Sequence, residues 1–121
     1  RLNLMTSNTG SNRLLDREFA AQRAEILRAL GNPVRLRIVA WLSGAGETTV
    51  GTLAEALALP QSSISRQLSW LRLNGLVDVR RDGSFSYYSI TMPQLTTLLG
   101  CLENCCRGNG DGTTTNTGVG Q

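Results

Sequence analysis

The chain contains no histidine and no lysine, and all of its 12 basic residues are arginine. Without histidine, the commonest general base of enzymes is missing. The chain also has no Gly-rich phosphate loop, no cluster of carboxylates, and no Cys-x-x-Cys pair at a helix start that would lower a thiol pKa. These absences argue against an enzyme. The formal net charge of +3 mildly favours an anionic partner.

No apolar run is long enough to span a bilayer, and no signal peptide is visible. We therefore expect a cytoplasmic protein with no membrane partner. Cysteine is scarce as well: the chain has 3, which is an odd number and cannot all be used in a closed set of disulfides. In a reducing cytosol they are expected to be thiols, available as soft ligands or redox groups.

The composition predicts one small domain between two terminal segments that do not fold. Residues 1–12 are polar and aperiodic, and residues 108–121 are rich in Gly, Thr and Asn, so both segments are expected to be disordered. Residues 13–107 remain to form the fold. A core of this size is often marginal alone, and oligomerisation is a common remedy.

Hydrophobic periodicity predicts five helices and one hairpin. The helices are expected at 16–30, 34–42, 50–57, 61–74 and from Met92 to about Arg107, with a loop at 43–46. Asn32-Pro33 and Thr49 are helix-start signals, and Gly75 is a helix stop. Residues 76–81 and 84–90 alternate as strands around an Asp82-Gly83 turn. The order predicts a mostly α fold with a small β-hairpin (α+β), a winged helix-turn-helix with flanking dimerisation helices.

The fourth helix has two different faces. At about 100° per residue, Ile64, Leu68 and Leu71 form a narrow apolar stripe, while small hydroxyls and one arginine occupy the opposite side. A solvated helix would more often carry Glu and Lys there, so this face favours entry into a DNA major groove. The predicted DNA contacts, including the wing tip, are Gln61, Ser62, Ser63, Ser65, Arg66, Gln67, Arg80, Arg81 and Gly83.

The stretches ALGNPVRLRIVAWL and LAEALALPQSSISRQLSWLRLNGLVDVRRDGSFSYYSI resemble the ArsR/SmtB family of bacterial metal-sensing repressors. The resemblance covers about residues 26–90. It implies a homodimer, joined through its first and last helices, that binds double-stranded operator DNA at an inverted repeat. It also implies that an inducer ligand loosens the repressor from DNA.

Two departures from the family pattern bear on the inducer. Position 67 is Gln where the family most often has His, although Gln can also bond phosphate or adenine. Residues 47–53 read ETTVGTL where arsenic- and cadmium-sensing members read ELCVCDL, so Thr49 and Gly51 replace that thiolate pair. The family's zinc or nickel site on the last helix needs histidines, which this chain lacks.

All three cysteines lie on the predicted last helix instead. A stripe expected to form the dimer interface consists of Leu95, Leu98, Leu99 and Leu102. Cys101 lies outside that stripe, one helical turn from Cys105, which is close enough for two sulfurs to chelate. Cys106 can join them only if the terminal turn unwinds.

Three thiolates without an imidazole best suit a trivalent, thiophilic ion, so arsenite or antimonite bound by Cys101, Cys105 and Cys106 is the favoured inducer. No permanently bound cofactor is expected. Cadmium, lead or mercury sensing, thiol oxidation or persulfide sensing, and inert cysteines remain alternatives. A winged helix used only for protein assembly would need neither the wing arginines nor the thiols.

Overall fold

The computed structural model describes residues 12–105. A 3-10 turn at Arg13–Leu15 leads into five helices and one hairpin in the predicted order. These are α1 (Arg17–Leu30), α2 (Pro33–Ala45), α3 (Val50–Leu57), α4 (Gln61–Leu73), β1 (Val77–Asp82), β2 (Phe85–Ile90) and α5 (Gln94–Cys105). Apart from Asn12, which is exposed, the two segments predicted to be disordered lie outside the described residues.

Side-chain caps fix three of the helix starts. Asp16 accepts from the Phe19 amide at 2.9 Å, and Asn32 accepts from the amides of Val34 and Arg35 at 2.9 and 3.0 Å. Thr49 accepts from the Thr52 amide at 3.3 Å. Each cap satisfies a backbone donor that the first helical turn leaves without a partner. The predicted starts at Asn32-Pro33 and Thr49 are therefore confirmed.

The predicted end of the second helix was wrong. α2 continues to Ala45, so residues 43–45 are helical rather than a loop. Gly46, with φ of 79°, ends the helix and donates its amide to the Leu42 carbonyl at 3.0 Å. This positive φ favours glycine, and of the two neighbouring glycines Gly46 adopts it whereas Gly44 remains helical.

The last helix begins two residues later than predicted, at Gln94. Thr91 does not cap it, because its hydroxyl donates to the Gly75 carbonyl at 2.7 Å. This bond ties the segment after the hairpin to the end of α4. Met92 lies before the helix, and the predicted extension to Arg107 lies outside the described residues.

The hairpin pairs β1 with β2 in antiparallel register, from Val77 opposite Ile90 to Asp82 opposite Phe85. The turn residues are therefore Gly83 and Ser84, not Asp82 and Gly83 as predicted, and Gly83 adopts a φ of 64°. Thr48 extends the hairpin by exchanging two backbone hydrogen bonds with Tyr88, at 3.0 and 2.9 Å. This bridge joins the wing to the start of α3.

The core lies where α2, α3 and α4 meet the base of the hairpin. Its fully buried side chains are Ile38, Val39, Leu42, Leu53, Ile64, Leu68, Leu71, Leu76 and Val77. Burial of each such side chain stabilises the fold by about 1.5–3 kcal/mol.

Leu95 also belongs to this core, with 2% of its surface exposed. Its prediction as a dimer-interface residue is corrected: a side chain already covered by its own subunit has no surface left for a partner. The rest of the leucine stripe becomes progressively more accessible. Leu98 and Leu99 are half-buried, and Leu102 is 45% exposed.

Candidate DNA-binding surface and thiol-bearing helix

The connection between α3 and α4 is tight because one alanine adopts a glycine-like conformation. Ala58 has φ of 57° and ψ of 49°, and its amide donates to the carbonyls at the end of α3. The amide of Leu59 donates to the Ala54 carbonyl at 3.0 Å. Pro60 then precedes α4 in an extended conformation. This short turn makes α4 cross α3 steeply, as in a helix-turn-helix.

α4 presents the two faces that its sequence predicts. Ile64, Leu68 and Leu71 are fully buried, which confirms the predicted apolar stripe. The opposite face is exposed and consists of Gln61, Ser62, Ser65, Arg66 and Ser69, while Ser63 and Gln67 are half-buried on its flank. Small hydroxyl side chains leave room for close approach of another surface, and arginine supplies a planar set of donors.

Arg35 and Arg37, on α2, are engaged within the subunit. The Arg35 Nε donates to the Ala29 carbonyl at 2.9 Å, and its Nη1 donates to Oε1 of Gln67 at 3.1 Å. Arg37 donates from Nη2 to the Leu57 carbonyl at 2.9 Å. Both carbonyls lie at helix ends, where a cation is favoured by the helix dipole. These arginines therefore hold α1, α2, α3 and α4 together.

In the wing, the two predicted arginines have different surroundings. Arg80 faces Glu47, in the loop before α3, and also lies over the Tyr87 ring at 4.8 Å from its centroid. The hydrogen bond from Arg80 lowers the pKa of Glu47, and the same bond raises the pKa of Arg80. Arg81, on the opposite face of the strand, donates from Nη1 to the Ser86 hydroxyl at 2.9 Å. Sequence reasoning missed Glu47, because nothing in a local pattern links positions 33 residues apart.

The cysteines within the described range lie on the exposed surface of α5. Cys101 and Cys105 are both exposed, and the Cys105 thiol donates to the Leu102 carbonyl at 3.3 Å. Cys106, the third predicted ligand, lies outside the described residues. Within residues 12–105, no three His, Cys, Asp or Glu side chains are grouped closely enough to hold a metal ion.

A groove of about 610 Å³ runs between α2 and α5, beside the thiol-bearing end of α5. Its lining is mainly apolar and small, formed by Leu36, Ala40, Ser43, Thr96, Leu99, Gly100, Leu102 and Glu103. Apolar side chains are also exposed at the N-terminal end of the fold, where Leu14, Leu15 and Leu27 are 58%, 79% and 58% exposed. None of the helices between residues 12 and 105 has the length and apolar character needed to cross a bilayer.

The chain is similar to bacterial regulators over most of its length. Residues 32–79 match the family described as "Bacterial regulatory protein, arsR family". The transcriptional activator HlyU of Vibrio cholerae is 32% identical over 91 residues, which cover 74% of this chain and 83% of HlyU. A structure of reduced HlyU superposes with a TM-score of 0.68 and 29% identity, covering 76% of this chain and 96% of that one.

Two further solved structures share the architecture. The transcriptional repressor BigR of Xylella fastidiosa superposes with a TM-score of 0.69 and 31% identity, covering 83% of this chain and 95% of BigR. The homodimeric winged helix-turn-helix domain of Mb0332 from Mycobacterium bovis gives a TM-score of 0.65 and 32% identity, covering 76% of this chain and 86% of that one. The winged helix-turn-helix is thus confirmed, and the chain belongs to the ArsR family of DNA-binding transcriptional regulators, a class without enzymatic activity.

Proposed function

We propose that this protein is a homodimeric, cytoplasmic repressor that leaves its operator when a thiophilic inducer binds the cysteines of α5. The observation that carries the proposal is the pair of exposed thiols, Cys101 and Cys105, one helical turn apart on a surface helix. Packing does not account for a pair of exposed thiols, whereas ligand binding does.

The DNA contact is proposed to be made by the exposed face of α4 and by the wing. Arg66 is exposed, and within residues 12–105 its guanidinium has no ion pair. It is therefore free to reach the O6 and N7 acceptors of guanine in the major groove. Arg81 and Gly83 are exposed at the wing tip, where phosphate contact requires little rearrangement. Arg80 contributes mainly by holding the wing, since Glu47 already neutralises its charge.

A second copy of the chain is proposed to cover the apolar surfaces at the two ends of the fold. The exposed side chains of Leu14, Leu15, Leu27 and Leu102 are large and apolar, and a monomer would leave them in water. The homodimeric state of Mb0332 supports the same assembly. A two-fold dimer would present two α4 helices to an inverted repeat with half-sites about one helical turn apart.

Trivalent arsenic or antimony is the inducer that suits the cysteines best. Three thiols displace the three oxygens of arsenious acid, forming three As–S bonds and releasing three waters. Cys106 follows Cys105 directly in the sequence and is proposed as the third sulfur. A soft pyramidal ion is satisfied by three thiolates, whereas zinc prefers four ligands that often include histidine.

Titration of the fully reduced protein on its DNA tests this proposal. A duplex selected from a random pool by the full-length chain would be followed by fluorescence anisotropy while arsenite, antimonite, cadmium, lead or mercury is added. Release at about one equivalent of arsenite or antimonite per subunit supports a metalloid sensor. Release by the divalent ions alone would reassign the inducer, and no release by any ion would overturn metal sensing.

Thiol chemistry without a metal is the second candidate. The exposure of Cys101 and Cys105 favours it, and so does the existence of a structure of HlyU that is specified as reduced. Hydrogen peroxide would oxidise one thiol to a sulfenic acid, which a second thiol of the cluster would convert to a disulfide with loss of water. A polysulfide would transfer one sulfur to a thiol, and a second thiol would then close the disulfide with release of hydrosulfide. Release of DNA by hydrogen peroxide or a polysulfide, reversed by dithiothreitol in the absence of metal, would favour this candidate over the metalloid.

A further inference from the structure

The guanidinium of Arg35 lies at the junction of α1, α2 and α4. Its Nε donates to the carbonyl of Ala29, at the C-terminal end of α1. Its carbon Cζ lies 3.9 Å from the centroid of the Trp70 ring. Its Nη1 donates to Oε1 of Gln67. A carbonyl on one edge and a ring on one face fix the plane of the guanidinium, so the direction of the bond to Gln67 is fixed as well.

The chemistry of the two groups determines which end of the Gln67 amide faces Arg35. A guanidinium has only donors, so the atom that it contacts at 3.1 Å must be the amide oxygen and not the amide nitrogen. The Nε2 group of Gln67, with its two N–H donors, therefore points away from Arg35. A glutamine that reads adenine must offer its oxygen and its nitrogen together. Because that oxygen faces α2 and accepts from Arg35, the amide directs its two N–H donors away from α2, and these donors are what Gln67 presents to DNA.

The position of Gln67 on α4 agrees with this restriction. At about 100° per residue, it lies some 60° from the buried stripe and about 100° from Arg66. It is half-buried, whereas Arg66 is exposed. A helix in the major groove turns its outward face to the base edges and its flanks to the sugar-phosphate walls. A donor on the flank therefore meets phosphate oxygens.

We propose that Gln67 is a phosphate-binding donor, and that Arg35 is the positioning residue that gives it this role by retaining its oxygen. This inference rests on the proposed entry of α4 into the major groove. The sequence allowed Gln67 to bond either phosphate or adenine, and the inference assigns it to phosphate. Gln67 then sets how α4 sits between the groove walls and contributes nothing to the choice of bases.

Two substitutions at position 67 test the donor directly, on a duplex selected from a random pool by the full-length chain. Gln67→Glu retains a bond to Arg35, and strengthens it, but removes both donors and adds a negative charge. Gln67→Ala removes the bond and the donors together. Both should lower affinity about tenfold on every base-substituted duplex, because a lost hydrogen bond to a charged group has about that effect. Wild-type affinity in Gln67→Glu, or a changed preference at one A·T pair in Gln67→Ala, would overturn the proposal.

The positioning role of Arg35 is tested with duplexes that carry a single neutral methylphosphonate at each position in turn. For the wild-type chain, neutralising one particular phosphate per half-site should lower the affinity for the duplex. For Gln67→Ala, neutralising the same phosphate should have no such effect. In Arg35→Met that position should lose its special effect, while the penalties at other phosphates stay unchanged. A purely structural role would lower all affinities together and would refute positioning. Should Arg35→Met fail to fold, as judged by thermal unfolding, Arg35→Lys provides the same comparison with the charge retained.

Arg66→Ala separates failure of this inference from failure of the proposed function. If Arg66→Ala lowers affinity and Gln67→Ala changes base preference, α4 reads DNA but the role of Gln67 is wrong. If neither substitution at 66 or 67 affects binding, α4 does not lie in the groove and both proposals fall.

Discussion

Glu47 and Arg80 form a bidentate ion pair between the α2–α3 loop and the wing. The Arg80 Nε lies 3.2 Å from Oε1 and 2.9 Å from Oε2 of Glu47, and the Arg80 Nη2 donates to Oε1 at 2.9 Å. The neighbouring residue, Thr48, exchanges backbone hydrogen bonds with Tyr88 of the same wing. The wing is therefore attached to the start of α3 by one charged and one backbone contact, side by side.

This attachment should weaken in acid. The pKa of Glu47 lies below its ordinary value of 4.5, chiefly because Arg80 donates hydrogen bonds to its charged form. A carboxylate with a lowered pKa stabilises the fold above its unfolded pKa, and this contribution is lost as the pH falls through the lowered value. We expect the amide chemical shifts of wing residues such as Tyr88 to titrate below pH 4.5, and Glu47→Gln to abolish that titration. Glu55→Gln, on the exposed side of α3, is the control and should leave it intact.

Arg66 and Arg81 should affect DNA binding in different ways. Arg66→Ala is expected to weaken operator binding by about 1–3 kcal/mol and to relax base preference, because it removes donors aimed at base edges. Arg81→Ala should weaken binding to all sequences and reduce the slope of log affinity against log salt by about one, because it removes a phosphate contact. Anisotropy titrations over a salt series measure both effects. Unchanged operator affinity in Arg66→Ala would show that α4 is not the reading helix.

The buried faces of the helices were predictable from sequence, because burial follows a helical period. Ile64, Leu68 and Leu71 recur at that period and are all fully buried. The period could not show where the core ends along α5, since Leu95 and Leu102 belong to one stripe but only Leu95 is covered. That division depends on the packing of α5 against the rest of the chain.

Side-chain partners across the fold were not predictable. Arg35 bonds Gln67, 32 residues away, and Arg80 bonds Glu47, 33 residues away. Both arginines are long side chains on exposed or half-exposed positions, where local propensity does not determine a partner. Only the docking of α2 on α4, and of the wing on the α2–α3 loop, decides which polar group lies within reach.

Replacing Ala58 with glycine should stabilise the protein. Its φ of 57° is the one positive φ of a non-glycine residue in the described range, and a side chain there costs about 1–2 kcal/mol. Part of the gain is offset by the greater freedom of glycine in the unfolded chain, so Ala58→Gly should raise the free energy of unfolding by about 0.5–1 kcal/mol. Ala56→Gly, in the interior of α3, should lower it by about 1 kcal/mol. Urea unfolding of both variants gives the comparison, and a loss of stability in Ala58→Gly would contradict it.

The dimer should depend on the apolar side chains at the two ends of the fold. Leu15→Glu and Leu102→Glu each place a charge on a surface proposed to be covered by the partner, and should shift the subunits toward monomer in sedimentation equilibrium. Leu73→Glu is the matched control, because Leu73 is 87% exposed at the end of α4 and is not among the leucines proposed to be covered by the partner. A wild-type chain that is monomeric at micromolar concentration would contradict the dimer outright.

The response to the inducer should depend on each cysteine, while DNA binding should not. Cys101 and Cys105 are exposed on α5 and are not part of the proposed DNA-binding face of α4, so Cys101→Ser and Cys105→Ser should bind the operator like the parent chain. Both should resist release by arsenite, because each substitution removes one sulfur of the pair that lies one helical turn apart. Cys106→Ser should resist release less completely, since Cys101 and Cys105 together retain weak binding.

The proposed mechanism also predicts how much operator affinity the inducer removes. The proposed site joins the sulfurs of Cys101, Cys105 and Cys106 at the C-terminal end of α5, the helix that also carries Leu98 and Leu102 of the proposed dimer surface. The ligand can shift the balance between DNA-competent and released states only by its difference in affinity for the two. Typical couplings of about 1–3 kcal/mol correspond to a 5- to 150-fold loss of operator affinity. That loss, measured by anisotropy at saturating arsenite, should disappear in Cys101→Ser. A Cys101→Ser variant that is released by arsenite like the parent chain would show that the three-sulfur site does not exist.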